Sequence, residues 1–349
     1  VFNFYDKYYT AQNMTLVLVS DVDEKTAKKY IEETFGKIKH SQLKENFVPV
    51  EPEQKAPKVV ILEKNFEGTY ISLGHHITNF KDPDTAVIDI IYTILGNGND
   101  SRLNKKLFEE LQLVHMIYAE SYTPKDRGFG FIDADLDSKN IKVALREIFK
   151  EIIKLQNDGI SSEELEKAKT IIEGEFIYSE DTFQGIARNL GYFELIGDGC
   201  ETIEKYLESI REVSIEDVKR VAKKYLTLTN TTVGILLPKK EKVKITEDEI
   251  KKILKESQLT PARMIRSGGL SPSLKREGLF SVLTPPLFQE RGAGGELFTL
   301  SNGIRIILQK NTSTPSVNFR LASLGGALLE NEANNGVFNF ISEVIDRGT

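Results

Sequence analysis

The order of predicted elements between residues 57 and 240 is the feature that most constrains the fold. Alternating apolar residues predict strands at KVVILEK and GTYISLGHHI, and a second strand pair lies in VHMIYAESYTPKDRGFGFIDADLD, joined by a turn from Thr123 to Gly128. Helical periodicity predicts two helices between the strand pairs and a run of helices from 142 to 226, one of which begins at a capping box, Ser161 to Glu164. The segment TTVGILLP then returns to the sheet. Strand pairs followed by a run of helices predict an α+β layer rather than a doubly wound parallel sheet.

Shorter patterns lie before this unit. MTLVLVSDVD (14–23) predicts a buried strand, and EKTAKKYIEETFGKI (24–38) predicts an amphipathic helix with Ala27, Tyr30, Ile31 and Phe35 on one face. We interpret residues 1–45 as the tail of one domain, 46–56 as a proline-bearing linker, and 57–240 as a complete domain.

The C-terminal part of the sequence changes character twice. Residues 241–295 contain one charged helix followed by a Gly-, Pro- and Ser-rich stretch, and are predicted to be a connector. In 296–349, LFTLSNGIRIILQKN predicts a hairpin, a third strand reaches Gly325-Gly326, and GVFNFISEVIDRGT predicts a helix. Because the chain starts at Val1 and stops at the end of this helix, we expect it to be the central part of a longer protein with partial domains at both ends.

Charge and composition exclude some classes of function. A formal charge of -6, with Lys and Arg spread among Asp and Glu, leaves no basic stripe for a nucleic acid. Cys200 is the only cysteine, so neither an internal disulfide nor a cysteine-based zinc cluster is predicted. No apolar run approaches the roughly 18 residues of a membrane span.

Four segments in this order resemble the M16 peptidases, the insulinase- and pitrilysin-like inverted zinc proteases. They are FYDKYYTAQNMTLVLVSDVD, ILGNGNDSRLNKKLFEELQLV, LFTLSNGIRIIL, and the strand with Gly325-Gly326 followed by a helix ending in Gly-Thr. The resemblance implies an α+β fold with a mainly antiparallel sheet covered by helices. It also implies that homologous domains, paired two by two, form half-shells around a peptide-binding chamber.

The resemblance places a zinc helix at the end of this chain. Active units carry H-x-x-E-H before Gly-Thr, in which two histidines bind Zn²⁺ and the glutamate activates a water molecule. Counting back from Gly348, the histidine positions correspond to Asn339 and Glu343, and the general base corresponds to Ser342. We therefore predict that this unit is inactive and that this chain binds no zinc. The parent protein's zinc would be held by a site upstream.

The resemblance also implies two substrate contacts. The family's arginine in Ser-Arg-Leu corresponds to Arg102, whose guanidinium could donate two hydrogen bonds to a peptide carbonyl or a C-terminal carboxylate. The alternative, an ion pair of Arg102 with Glu109 or Asp100 on a solvated helix end, is equally open. The family's tyrosine aligns with His115, and Tyr118 is the nearest tyrosine. Tyr118 could instead pack within the sheet.

The four histidines are predicted to have structural or surface roles. His75 and His76 are adjacent in a strand and point to opposite faces, so they cannot chelate one ion together. His40 lies in the N-terminal polar stretch, and His115 begins a strand without a ligand at suitable spacing.

Two hypotheses of function remain open. In the first, the chain is the non-catalytic chamber wall and substrate-binding part of a zinc metalloendopeptidase that hydrolyses peptides or small proteins, and its partner is another M16 half. In the second, the parent is a noncatalytic M16-like assembly or peptide-binding subunit. The sequence determines neither the substrate nor the compartment, although the family's habit suggests the periplasm.

Overall fold

The computed structural model describes residues 5, 7–38, 40, 51–65, 67–241, 243–259, 296–310 and 317–323. The α helices are α1 (Glu24–Thr34), α2 (Thr85–Gly96), α3 (Ile141–Asp158), α4 (Ser162–Ser179), α5 (Phe183–Ile196), α6 (Thr202–Glu212), α7 (Ile215–Tyr225) and α8 (Glu247–Leu259). The strands are β1 (Met14–Ser20), β2 (Lys58–Lys64), β3 (Thr69–His76), β4 (Met116–Tyr122), β5 (Phe129–Leu136), β6 (Thr231–Pro238), β7 (Glu296–Thr299), β8 (Arg305–Lys310) and β9 (Val317–Ser323). Within the described part of the chain, none of the helices is both long and apolar enough to cross a membrane.

The chain divides into two compact units. Unit 1 combines Val1–Pro52, Glu173–Leu207 and Ala293–Thr349, and unit 2 combines Glu53–Ile172 and Glu208–Gly292. The sequence instead predicted separate domains for 1–45 and 296–349. Those domain boundaries stay predictions, whereas in this structure β1 lies in one sheet with β7, β8 and β9.

Unit 2 is built on a five-stranded sheet in the order β2-β6-β3-β5-β4. Every neighbouring pair is antiparallel except β2 and β6, which are parallel. Burial alternates along the strands: Ile71, Leu73 and His75 of β3 are buried, and the residues between them are not. Helices α2, α3, α7 and α8 cover the buried face, with α2 against β4 and α8 against β2. The predicted α+β class with a mainly antiparallel sheet covered by helices is confirmed.

Unit 1 is built on a four-stranded sheet in the order β7-β8-β1-β9. All seven residues of β1 are buried, as the apolar run predicted. Leu16 and Leu18 belong to a core cluster with Ala27 and Ile31 of α1. Helix α5 packs on β1 and β9. The central strand of this sheet is therefore covered on both faces.

The predicted hairpin is present, and its turn is hydrogen-bonded to the segment that follows α1. Strands β7 and β8 pair antiparallel around a turn in which Gly303 has φ +92°. The Asn302 side chain in this turn donates hydrogen bonds to the carbonyl oxygens of Phe35 (2.9 Å) and Ile38 (3.1 Å). This amide therefore caps the end of the helical segment that follows β1.

Two local predictions need correction, and a third is met by a packed helix. Tyr30 was placed on the buried face of α1, but it is 60% exposed because the helix packs through Ala27 and Ile31. The second of the two helices predicted between the strand pairs, SRLNKKLFEELQ (101–112), is not a regular α helix. Asn104–Glu110 is π-helical, and the Leu111 N–H donates to the Lys106 carbonyl. The charged helix predicted within the connector is α8, and its Ile250 and Leu254 are buried.

Candidate functional site

Arg102 follows α2 through a tight turn. Gly96 ends the helix so close to β4 that a Cβ there would lie 2.2 Å from the Ala119 nitrogen. Gly98 then has φ +82°, a backbone conformation that favours glycine. The loop LGNGND therefore turns the chain between two helical segments and sets the position of Arg102.

Glu164, and neither Glu109 nor Asp100, is the partner of Arg102. Its carboxylate accepts from Nε at 2.6 Å and from Nη2 at 2.9 Å, and Nη2 also donates to the Gly159 carbonyl at 3.1 Å. The two side chains are 18% and 33% exposed, so this ion pair is only partly solvated. Asp100 instead pairs with Lys167 and Lys105. The guanidinium is thereby held along one edge.

The predicted capping box positions this carboxylate. The Glu164 N–H donates to Ser161 Oγ at 3.1 Å, and the Ser161 N–H donates to Glu164 Oε2 at 2.8 Å. Burial alone would raise the pKa of Glu164, but the hydrogen bonds from Arg102 and Ser161 outweigh it and hold the pKa below its usual value. Glu164 is therefore an ionised and immobilised anchor for the guanidinium. Sequence reasoning missed this role, although the capping box was the signal that could have indicated it.

A pocket between α2 and α4 lies beside this ion pair. Its lining includes Asn97, Ser101, Arg102 and Lys167. Ser101 is buried, and its Oγ has no hydrogen-bond partner among the described residues. A buried hydroxyl without a hydrogen-bond partner destabilises the folded state. Its presence in this pocket therefore calls for an explanation.

Tyr118 lies on a different surface. Its neighbour Ala119 is buried where α2 packs, so the Tyr118 side chain points to the opposite face of the sheet. Its hydroxyl donates to Asp133 Oδ2 at 3.2 Å, and its ring packs edge-on against Phe131. Burial and the Asp133 carboxylate raise the pKa of Tyr118. The structure does not bring the two predicted substrate contacts together.

The described residues do not fit a zinc ion. Among them, no three His, Cys, Asp or Glu side chains converge in a way that could hold a metal. His75 is buried between Tyr92 Oη (3.3 Å) and Thr231 Oγ1 (3.2 Å), whereas His115 lies at the surface, 3.4 Å from Asp137. Asn339, Ser342 and Glu343 lie outside the described residues, so their correspondence to a zinc helix stays a prediction.

Comparisons with known proteins agree with this architecture. Residues 1–172 match the family model described as the peptidase M16 inactive domain. The zinc protease PqqE of Helicobacter pylori is 23% identical over 241 residues, covering 67% of this chain and 54% of that protein. An uncharacterized zinc protease of Mycobacterium tuberculosis, Rv2782c, is 25% identical, covering 64% of this chain and 52% of that protein. The chain therefore spans about half the length of these relatives.

Solved structures share the fold. A protease from Helicobacter pylori superposes with a TM-score of 0.57 at 21% identity, over 62% of this chain and 54% of that one. A peptidase M16 inactive domain from Pseudomonas fluorescens gives a TM-score of 0.55 at 21% identity, over 64% and 53%. Fold and matches together define a helix-covered α+β protein. Residues 1–172 match the M16 inactive domain, so this part of the chain is similar to the non-catalytic part of M16 zinc proteases, and the solved structures share its fold.

Proposed function

We propose that this chain forms a substrate-binding wall of an M16 zinc peptidase, and that the pocket beside Arg102 binds the backbone of a peptide. In this proposal a zinc site in another unit of the longer protein performs hydrolysis. The observation that carries the proposal is an arginine fixed along one edge beside a buried hydroxyl without a partner.

The Arg102 pocket offers groups that suit a peptide carbonyl. Glu164 and Gly159 occupy Nε and Nη2, and Nη1 has no partner among the described residues, so it can donate to a ligand. Ser101 Oγ supplies a second donor or acceptor in the same pocket. A pre-positioned donor loses little conformational freedom on binding, which favours affinity.

The charge around the pocket favours a neutral ligand group. Arg102 and Lys167 carry two positive charges, and Glu164 and Asp100 carry two negative charges that pair with them. Hydrogen bonds from Lys167 and Lys105 hold the pKa of Asp100 below its usual value, so this carboxylate is ionised at neutral pH. The charges of the four charged residues that line the pocket cancel, so we propose a neutral backbone carbonyl rather than a terminal carboxylate as the ligand group.

Tyr118 remains a predicted second substrate contact. It would act on the other face of the sheet, at the edge formed by β4 and β5, where its hydroxyl is already ordered by Asp133. A substrate that reaches both Arg102 and Tyr118 would have to pass the end of the sheet. The Arg102 pocket is therefore tested separately.

Ser101→Ala is the cleanest test of the pocket, since the Ser101 hydroxyl makes no hydrogen bond to the described protein groups. Binding of a fluorescein-labelled unstructured peptide, the oxidised B chain of insulin, would be measured by fluorescence anisotropy. We expect Ser101→Ala to weaken binding about fivefold and Arg102→Ala about tenfold or more, in line with neutral and charge-assisted hydrogen bonds. Ser101→Ala should leave the thermal melting temperature unchanged or raise it.

Arg127→Ala is the matched control, because Arg127 is exposed on the β4–β5 turn. Its affinity for the peptide should equal that of the wild-type chain. Unchanged affinity in both Ser101→Ala and Arg102→Ala would remove the proposed site. If the full-length protein bound peptide without holding zinc or cleaving it, a peptide-binding subunit would replace the peptidase as the parent's function.

A further inference from the structure

The pocket beside Arg102 has an apolar interior next to its hydrogen-bonding groups. Its lining includes Thr93 and Ile94 of α2 and Ala168 of α4. All three of these residues are buried, so the pocket is closed on this side. A ligand in this pocket would therefore meet an apolar wall as well as the polar groups of Ser101 and Arg102.

The α4 side of the pocket is one stripe of that helix. Glu164, Ala168 and Ile171 stand at i, i+4 and i+7, which places them on the same face. Ala168 has the smallest side chain of the residues that line the pocket. Because it lies between two longer side chains of the stripe, its single methyl group sets the depth of the space between α2 and α4.

The mouth of the pocket carries charges that are already paired. Asp100 and Lys167 line it, form an ion pair and are both exposed, and Arg102 pairs with Glu164. A charged side chain would gain no net attraction here and would lose its hydration on entering the apolar interior. The interior therefore favours an uncharged, apolar group.

The volume of the cavity limits the size of that group. It is about 40 Å³, which is room for roughly three water-sized spheres. An alanine or valine side chain fits such a space, whereas a phenylalanine ring exceeds it. Because protein interiors are closely packed, a larger group would have to force α2 and α4 apart.

A void left by imperfect packing is the alternative to a binding site. A void between apolar helix faces would be lined by apolar groups alone. Here Ser101 is only 5% exposed, and its Oγ has no hydrogen-bond partner among the described residues. The backbone of a bound peptide would supply the missing partner, whereas an empty void would leave the hydroxyl unsatisfied. The Ser101 hydroxyl therefore favours a ligand.

We propose that this pocket selects a small apolar residue, of alanine to valine size, in a bound peptide. The side chain of that residue enters between Ile94 and Ala168, while Arg102 Nη1 and Ser101 Oγ bind the adjoining backbone. The inference rests on the proposed function, because it concerns the same pocket. It adds the class of substrate, a peptide segment with a small apolar side chain at one position, and it makes Ala168 the residue that determines specificity.

The test uses the full chain and four fluorescein-labelled glycine-serine host peptides. Each carries one guest residue, which is alanine, valine, leucine or phenylalanine. Dissociation constants would be measured by fluorescence anisotropy. We expect the wild-type chain to bind the alanine and valine peptides about tenfold or more tightly than the phenylalanine peptide, because the fit of a few carbon atoms in an apolar pocket changes affinity by about this factor.

Two substitutions at Ala168 change the depth of the pocket in opposite directions. Ala168→Leu fills the space and should weaken binding of the valine peptide at least tenfold. Ala168→Gly deepens it and should bind the leucine peptide about fivefold more tightly than the wild-type chain does, so the order of preference changes. Thr170→Leu adds a large side chain at an exposed position of α4 and is the matched control, which should leave all four affinities unchanged.

Equal affinity of the wild-type chain for the four peptides would overturn the inference, and so would an unchanged order of preference in Ala168→Gly. The wild-type series and Ala168→Gly remain informative even if Ala168→Leu does not fold. The oxidised B chain of insulin separates this inference from the proposed function. If the B chain binds through Ser101 and Arg102 but the guest peptides bind regardless of size, or do not bind, only the selection of a small residue fails. If the B chain does not bind either, the proposed function fails as well.

Discussion

The Glu164 carboxylate accepts hydrogen bonds from Arg102 Nε at 2.6 Å and Nη2 at 2.9 Å, along one edge of the guanidinium. The two residues are 62 positions apart in the chain. The same carboxylate closes the capping box of α4. One side chain thus fixes the start of a helix and the orientation of the predicted substrate-binding arginine.

Glu164→Gln should destabilise the chain by about 1–2 kcal/mol, because Arg102 would keep its partly buried charge without a carboxylate. The pKa of Glu164 is lowered in the folded state, so its stabilising contribution is present above the unfolded pKa near 4.5 and is lost as pH falls through the folded pKa. Urea denaturation at pH 7 and pH 4 should show a larger difference between variant and wild type at pH 7. Glu166→Gln, at an exposed position of the same helix, should have little effect.

His75 should make the free energy of unfolding depend on pH at values above those at which carboxylates titrate. Burial and the neighbouring His76 lower the pKa of His75 from 6.5 to about 4, so the unfolded chain binds this proton more readily. The contribution is fully present above pH 6.5 and is lost as pH falls toward 4, which amounts to about 2 kcal/mol between pH 7.5 and pH 5.

Urea denaturation of the His75→Asn chain checks this assignment. The variant should be less stable at pH 7.5, because Tyr92 and Thr231 lose their partner, but it should lose less stability on acidification than the wild type. His115→Gln, at the surface, should keep the wild-type pH dependence. An identical pH dependence in His75→Asn and wild type would exclude His75 as its source.

Gly130→Ala should destabilise unit 2 severely. Tyr92 of α2 lies across β5 at this glycine, and a Cβ would be 2.1 Å from the Tyr92 ring. Tyr92 is fully buried, so relief requires movement of the helix, at a cost of about 3 kcal/mol or more. Gly74→Ala on β3 is the control, since its Cβ would meet no atom within 4 Å. The melting temperatures of both variants would be measured by thermal denaturation. Equal melting temperatures would contradict the close packing of Tyr92 on Gly130.

The purified chain should hold far less than one zinc ion per molecule after dialysis against zinc-containing buffer. The resemblance implies that Asn339 and Glu343 stand where active units have imidazole ligands and Ser342 where they have the general base, which is the reason for this prediction. Elemental analysis by mass spectrometry provides the measurement, with a chelator-treated sample as the blank. Stoichiometric zinc that the chelator removes would show that the chain holds a metal site of its own.

Local sequence patterns predicted the local elements well. The hairpin at 296–310, the turn between β4 and β5, and the capping box at Ser161 all depend on residues close together in the chain, so their signals are contained in short windows. The π-helical segment Asn104–Glu110 was not predicted, because its periodicity differs little from that of an α helix over so few residues.

Contacts between residues far apart in the sequence were harder to predict from local patterns. Arg102 was given two nearby carboxylates as alternatives, Asp100 and Glu109, yet its partner lies on α4. Tyr30 shares the helical spacing of Ala27 and Ile31, but α1 is only partly covered, so spacing alone could not show which apolar residues are buried. Both outcomes depend on how distant elements pack.

By itself, the sequence determined the α+β class and the family resemblance, because these depend on element order and residue identity. The replaced zinc-helix positions are implied by that resemblance and stay a prediction. Only the tertiary structure decided that β1 lies between β8 and β9 and that Glu164 anchors Arg102. The physical reason is that strand pairing and helix packing join segments far apart in the chain. Their free energy comes from surface buried between those segments, which no local window contains.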